Sequence, residues 1–242
     1  MLWAAPLLAD AATAPDDVWA WIVQEFPRLF TELDKFLLEL AQAVGGWTYA
    51  VLFAIVFAET GLVITPFLPG DSLLFAAGAL CAVPELQLSL PLMAGLLFVA
   101  AVLGDAVNYH IGRWIGPPAF SGRIRLLNPA HLERTRAFFD RHGGKAVVLA
   151  RFVPIVRTFA PFVAGVGTMR YRRFAFYNVF GAVLWIGLFM LAGWGFGNLP
   201  WVKRNFSKVI LGIIVLSVLP IVWEWWKHRT EARKAAAGHA AT

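Results

Sequence analysis

Apolar residues run through Trp47–Val83 and again through Ala146–Met169, and each run is broken near its middle by prolines and charges. The first break passes from Glu59 through Pro66, Pro69 and Gly70 to Asp71, the second from Arg151 through Pro154, Arg157 and Thr158 to Pro161. An arm such as Trp47–Ala58 or Ser72–Val83 rises ~1.5 Å per residue and so reaches ~18 Å, short of a ~30 Å hydrocarbon core. An arm that enters and cannot cross must turn back. Irregular backbone at membrane depth persists only when buried in protein or lining a wet cavity. The pattern predicts two re-entrant helical hairpins, 47–83 and 146–169, with turns at Pro66, Pro69 and Gly70 in the first and at Pro154 and Pro161 in the second.

Longer apolar stretches predict full spans at 90–111 and 174–194, with a last one at Val209–Trp226 inside a C-terminal segment 198–226. Before the first hairpin, residues 18–45 carry apolar side chains at helical spacing, among them Trp19, Val23, Phe26, Phe30, Leu33, Leu37 and Leu40. Glu25, Arg28, Glu32, Lys35 and Glu39 occupy the other faces. A helix this amphipathic is expected to lie along the interface. The hydrophilic segment 116–145 holds a second surface helix, capped by Asn128 and opened by Pro129. Residues 1–17 read as a flexible tail without the basic start of a signal peptide, and 227–242 as a basic cytoplasmic tail.

The expected fold is an all-α polytopic membrane protein. Its core, 46–197, is an inverted repeat in which each hairpin is followed by a transmembrane helix, flanked by the N-terminal amphipathic helix and a C-terminal span. The spans end alike, Gly112 to Gly116 and Gly193 to Gly197. Inverted repeats with broken helices meeting at the midplane are a transporter architecture.

The hairpin tips are oppositely charged: Glu59 and Asp71 face Arg151 and Arg157. A lone charge at that depth costs roughly 2.5–3.5 kcal/mol on insertion scales, so these side chains should pair or line a path. Asp105, Asn108, Tyr109, Gly112 and Arg113 recur at i, i+3, i+4, i+7 and i+8 in the first span, a face that must look into protein. Thr158 and the prolines near it suggest a half-helix N-terminus, whose positive dipole end favours an anion. The plainer readings are that the four tip charges only hold the hairpins together and that the Asp105 face is an internal hydrogen-bonded network.

Composition agrees with a membrane chain: 59% of its 242 residues are hydrophobic, with 11 Trp and 20 Phe, and mean hydropathy is +0.66. The net charge of +6 follows from the positive-inside rule without invoking nucleic acid. With 116–145, 170–173 and the C-terminal tail in the cytoplasm, most of the 21 Lys and Arg lie inside. Outside remain Arg28, Lys35, Lys203, Arg204 and Lys208. The N-terminus is then outside and the C-terminus cytoplasmic, with basic segments near anionic membrane lipids. One cysteine, Cys81, allows no internal disulfide or thiolate site. No ligand set for a metal or cofactor and no catalytic arrangement is legible, so an enzyme is not expected.

Three groups of residues carry a resemblance to a known family: Phe57 and Glu59 through Phe67, Pro69, Gly70 and Asp71; Gly104 and Asp105 leading to Tyr109, Gly112 and Arg113; and Arg151, Pro154, Arg157, Thr158 and Pro161 leading to Gly165. Over roughly 46–197 the chain resembles the DedA family, the bacterial proteins that share the VTT (SNARE-associated) domain. The resemblance implies a multi-pass protein of the bacterial inner membrane that returns undecaprenyl phosphate to the cytoplasmic leaflet for cell-envelope synthesis, dependent on the proton-motive force. It maps the family's functional acids onto Glu59 and Asp71 and its functional arginines onto Arg151 and Arg157; the chemistry of these side chains suggests proton coupling at the acids and phosphate binding at the arginines. The expected partners are a polyprenyl phosphate or phospholipid, protons and anionic lipids, with a homo-oligomer left open. The competing functions are a proton-coupled transporter of a small ion or solute and a general phospholipid scramblase.

Overall fold

The computed structural model describes residues 33–62, 70–118, 143–167, 169–205, 208–209 and 211–213, and all regular structure among them is helical. In chain order the helices are α1 (Leu33–Val44), α2 (Thr48–Gly61), α3 (Gly70–Cys81), α4 (Leu90–Pro118), α5 (Lys145–Ala150), α6 (Pro154–Val166), α7 (Tyr171–Phe196) and α8 (Pro200–Arg204), with 3-10 turns at Gly45–Trp47 and Pro84–Leu86. The N-terminal tail, the start of the amphipathic helix, Pro66, Pro69, the surface helix after Asn128, most of the last expected span and the basic tail lie outside the described residues.

Among the described residues, three stretches are long and apolar enough to cross a membrane: Phe36–Gly61, Leu90–Ile115 and Tyr171–Phe196. The last two contain the expected spans 90–111 and 174–194 and run beyond them. The first was not expected. It joins the end of the amphipathic helix to the first hairpin arm, although the backbone interrupts it at Gly45, whose φ of +50° suits glycine. Thr48 closes this turn by donating its hydroxyl to the Gly45 carbonyl at 2.6 Å. On the N-terminal side, α1 buries Phe36, Leu37, Leu40 and Ala41 in the main core and packs on α3. This part of the amphipathic helix therefore spends its apolar face on protein.

Helix α3 is buried on every side from Gly70 to Leu80. A helix apolar all round needs such an enclosure. Its main neighbour is α7, while α2 lies on α4; in the second half of the chain α5 lies on α7 and α6 on α4. The second arm of each pair thus packs on the long helix of the other half.

Lipid tails are as apolar as leucine, so membrane helices associate through close packing at small residues. That is how both second arms dock. A Cβ on Gly78 of α3 would strike the Met190 carbonyl of α7, and one on Gly193 would strike the Phe75 carbonyl. On the other side, Gly165 of α6 meets the Tyr109 carbonyl of α4, and Gly112 meets that of Phe162. In every case the carbonyl belongs to the residue three before the opposing glycine. The same crossing is made twice, and Gly112 and Gly193, matched in the sequence, hold the same place in it.

The second break differs from expectation. Only Arg151–Val153 leave the helix; Pro154 opens α6, and Pro161 lies inside it rather than in a turn. Proline suits the first helical turn, whereas at Pro161 the missing N–H leaves the Arg157 carbonyl without its i+4 donor. Packing on neighbouring helices lets membrane helices tolerate that loss. In the sequence, two prolines in one apolar run read as a single long turn.

Candidate functional site

The charged site is assembled from five helices. Glu59 lies in the last turn of α2, Asp71 in the first turn of α3, Asp105 is mid-way along α4, Arg151 follows α5 and Arg157 sits one turn into α6. All five are buried, with exposures from 1% for Glu59 to 6% for Arg157. The five charged side chains therefore meet inside protein, away from bulk water.

Small residues make the approach feasible. At Gly104 a side chain would collide with the Thr60 hydroxyl, and its Cβ would stand 3.0 Å from both the Gly61 nitrogen and the Phe57 carbonyl. This brings the end of α2 against α4 beside Asp105. At Gly70 a Cβ would strike the Glu59 carboxylate and come within 2.8 Å of Arg157 Nη2. Gly70, expected as a turn residue, opens α3 and admits the ion pair to its N-terminus. The helix dipole there favours a carboxylate.

Arg157 holds both Glu59 and Asp71. Its Nη1 donates to Asp71 Oδ1 at 2.7 Å and its Nη2 donates to Glu59 Oε1. Arg151 does not share them. Its Nη2 donates to Asp105 Oδ2 and, at 2.7 Å, to Asn178 Oδ1 on α7. The expectation that both arginines rest on Glu59 and Asp71 is corrected accordingly. Asp105, placed by the sequence on a supporting face, is the acid that Arg151 meets.

Trp185 of α7 stands between the two pairs. The Arg151 and Arg157 guanidinium carbons lie 5.5 and 5.1 Å from its ring centre, within cation–π range. Its indole N–H donates to Asp71 Oδ1 at 2.7 Å. Both arginines, Asp105, Trp185, Thr60, Thr158, Val147 and Pro161 line one small cavity, roomy enough for about one water molecule.

Asn108 ties the two halves together. Its Nδ2 donates to the Thr60 carbonyl at 3.1 Å and to the Thr158 carbonyl at 2.8 Å. Thr60 is in the last turn of α2, where carbonyls lack intrahelical donors. Tyr109 lies apart from the cavity, donating its hydroxyl to the Met169 carbonyl and stacking on Phe174 with 4.5 Å between centroids. Arg113, expected on the same face, is exposed. At 3.6 residues per turn, i+8 is rotated by about 80° from Asp105, and the closely packed Gly112 side leaves no room for it.

The VTT-domain profile matches residues 68–195. Protein DedA of Escherichia coli K12 is 53% identical over 205 residues, covering 84% of this chain and 94% of that protein. The chain belongs to the DedA family. An uncharacterized membrane protein of Mycobacterium leprae is 39% identical, covering 75% of this chain and 81% of its own. Inner membrane protein YghB of Salmonella typhimurium is 38% identical, covering 72% and 79%. No solved structure matches.

In this DedA-family chain, two residues of the site escaped the sequence reading, Asn178 and Trp185. Asn178 had a visible signal, being a polar residue within an apolar span; its Nδ2 also donates to the Val102 carbonyl at 3.1 Å. Trp185 had a positional one, since tryptophan in membrane helices favours the interface and this one sits mid-helix. Among the described residues, no group of three or more His, Cys, Asp or Glu side chains could hold a metal ion.

Proposed function

We propose that this membrane protein carries a phosphate-bearing lipid, undecaprenyl phosphate or a related phospholipid, from one leaflet to the other in exchange with protons, as a step in carrier-lipid recycling. The observation that carries the reading is the pair of buried arginines around one cavity, each engaged by carboxylates. Arginine is a permanent, planar donor that binds phosphate through two parallel hydrogen bonds. A head group entering the cavity takes the place of a carboxylate, and the isoprenoid or acyl tail stays in lipid.

Three carboxyls face two guanidiniums here, so full ionisation leaves one negative charge in excess at a depth where lone charge is costly. A proton on one carboxyl balances it. We assign proton coupling to Glu59 and Asp71: protonation loosens their hold on Arg157, and proton loss re-forms the pair and expels the phosphate.

The helix lengths support re-entrant hairpins. At ~1.5 Å per residue, α2 with its 14 residues and α3 with its 12 extend ~21 and ~18 Å, and α6 with 13 extends ~20 Å. The repeated glycine crossing supports an inverted repeat. We place the protein in the bacterial inner membrane with its N-terminus outside and its C-terminus in the cytoplasm, which sets the exposed Arg170, Arg172 and Arg173 against anionic lipid.

Reconstitution in liposomes tests this function. Leaflet-to-leaflet movement of undecaprenyl phosphate should speed up with a pH gradient and be lost in Arg157→Ala. Movement indifferent to the arginines defeats the phosphate role. Ion flux without lipid movement favours a small-ion carrier, and gradient-independent movement of ordinary phospholipids favours a scramblase.

A further inference from the structure

We propose that Arg151 is the first station for the phosphate and that Asp105 is the counter-ion it displaces; this rests on the phosphate-lipid reading above. The two arginines are not held alike. Arg157 is clamped by two carboxylates, one of which is also fixed by the Trp185 indole. Arg151 is engaged by a single carboxylate and the neutral amide of Asn178, both at Nη2. Its Nη1 is buried and has no hydrogen-bond partner among the described residues, while the side chain lines the cavity.

A guanidinium offers five N–H donors in a fixed fork, and a phosphate takes two adjacent ones. At Arg151 the Nη1–Nη2 edge combines one unengaged nitrogen with one that a carboxylate occupies. A phosphate on that edge competes with Asp105 and with nothing else that is charged. Asn178 remains behind as a positioning residue: its Nδ2 is bonded to the Val102 carbonyl, so its Oδ1 keeps the guanidinium oriented when Asp105 leaves. Local backbone favours Arg151 as well. It sits in the short turn after the six-residue α5, whereas Arg157 is built into α6.

The test uses the full-length protein in detergent and farnesyl phosphate, a short isoprenyl monophosphate, as probe, with inorganic phosphate in a parallel arm. Asp105→Asn should bind farnesyl phosphate roughly tenfold tighter than wild type, the worth of a lost charged competitor, yet move long-chain lipid more slowly in liposomes because release is impaired. Asn178→Asp, which keeps the Asp105 pair and adds a second competitor, should bind it more weakly by a similar factor. Arg151→Gln should abolish binding. Unchanged or weaker binding in folded Asp105→Asn overturns the displacement, as does unchanged binding in Asn178→Asp should Asp105→Asn fail to fold. The phosphate reading survives either result if Arg151→Gln still abolishes binding. Wild type that binds neither probe defeats that reading and this inference with it. Inorganic phosphate bound as tightly as farnesyl phosphate supports the displacement and removes the lipid as its source.

Discussion

Trp185 donates its indole N–H to Asp71 at 2.7 Å, on the same carboxylate oxygen that Arg157 engages. Asp71 is thereby fixed from α6 and α7 at once. A hydrogen bond to a charged group contributes ~1.5–3 kcal/mol. Trp185→Phe keeps an aromatic face for both guanidiniums and removes that bond. Lipid movement in liposomes should fall about tenfold or more, and Trp185→Leu should fall further because the ring is gone as well. A wild-type rate in Trp185→Phe would mean that Arg157 positions Asp71 unaided.

The ion pairs make a stability prediction separable from transport. Removing one partner of a buried pair costs ~3–5 kcal/mol, whereas replacing the whole set by neutral groups costs far less. Arg157→Gln should lower the unfolding temperature in detergent. Adding Glu59→Gln and Asp71→Asn should recover much of the loss without restoring lipid movement. Recovered transport in the triple variant would reduce the cluster to a structural staple.

The glycine crossings predict a contrast among similar substitutions. Gly78→Ala, Gly193→Ala, Gly112→Ala and Gly165→Ala each push a methyl into a backbone carbonyl and should cost ~1–3 kcal/mol. Gly95→Ala and Gly187→Ala meet nothing within 4 Å and should be neutral or stabilise by up to ~1 kcal/mol. Thermal unfolding of the six variants side by side checks it. Equal effects across the set would deny the crossings their part in helix docking.

Asn108→Leu removes the bridge between the Thr60 and Thr158 carbonyls while keeping the branching and heavy-atom count of the side chain. Losing the partner of buried polar groups costs ~1–3 kcal/mol each. The end of α2 and the middle of α6 should then exchange amide hydrogens faster, with α7 unaffected. Uniform protection would show that the carbonyls find other donors.

Orientation is open to labelling. With Cys81 replaced by alanine, a cysteine at Glu85 should react with a membrane-impermeant reagent from outside intact cells, and one at Arg172 only after the membrane is opened. Labelling of both from one side would contradict the re-entrant path.

The breaks near Glu59–Asp71 and at Arg151, the long helices α4 and α7, and the meeting of opposite charges were legible because each leaves a mark in one dimension: a long apolar run, a proline, a charge where none is expected. Partner choice left no such mark. Arg151 and Asp105 are 46 residues apart, and only the docking of α5 on α7 decides that Arg151 turns to Asp105 and Asn178 rather than to Glu59. Pro161 misled because the helix around it is kept by its packing on α4, a tertiary effect. The Gly112 and Gly193 echo was visible as spelling, but its meaning, a carbonyl against a missing side chain, needed three dimensions.

Asp71 and Glu59 precede Arg157 by 86 and 98 residues. At ~5–20 residues per second of synthesis, both acids are made ~5–20 s before the arginine that engages them. The half-made chain must therefore be sheltered, its carboxyls protonated or kept in a wet insertion channel, until its second half arrives. Biogenesis of this protein should lean on the insertion machinery far more than the count of its helices suggests.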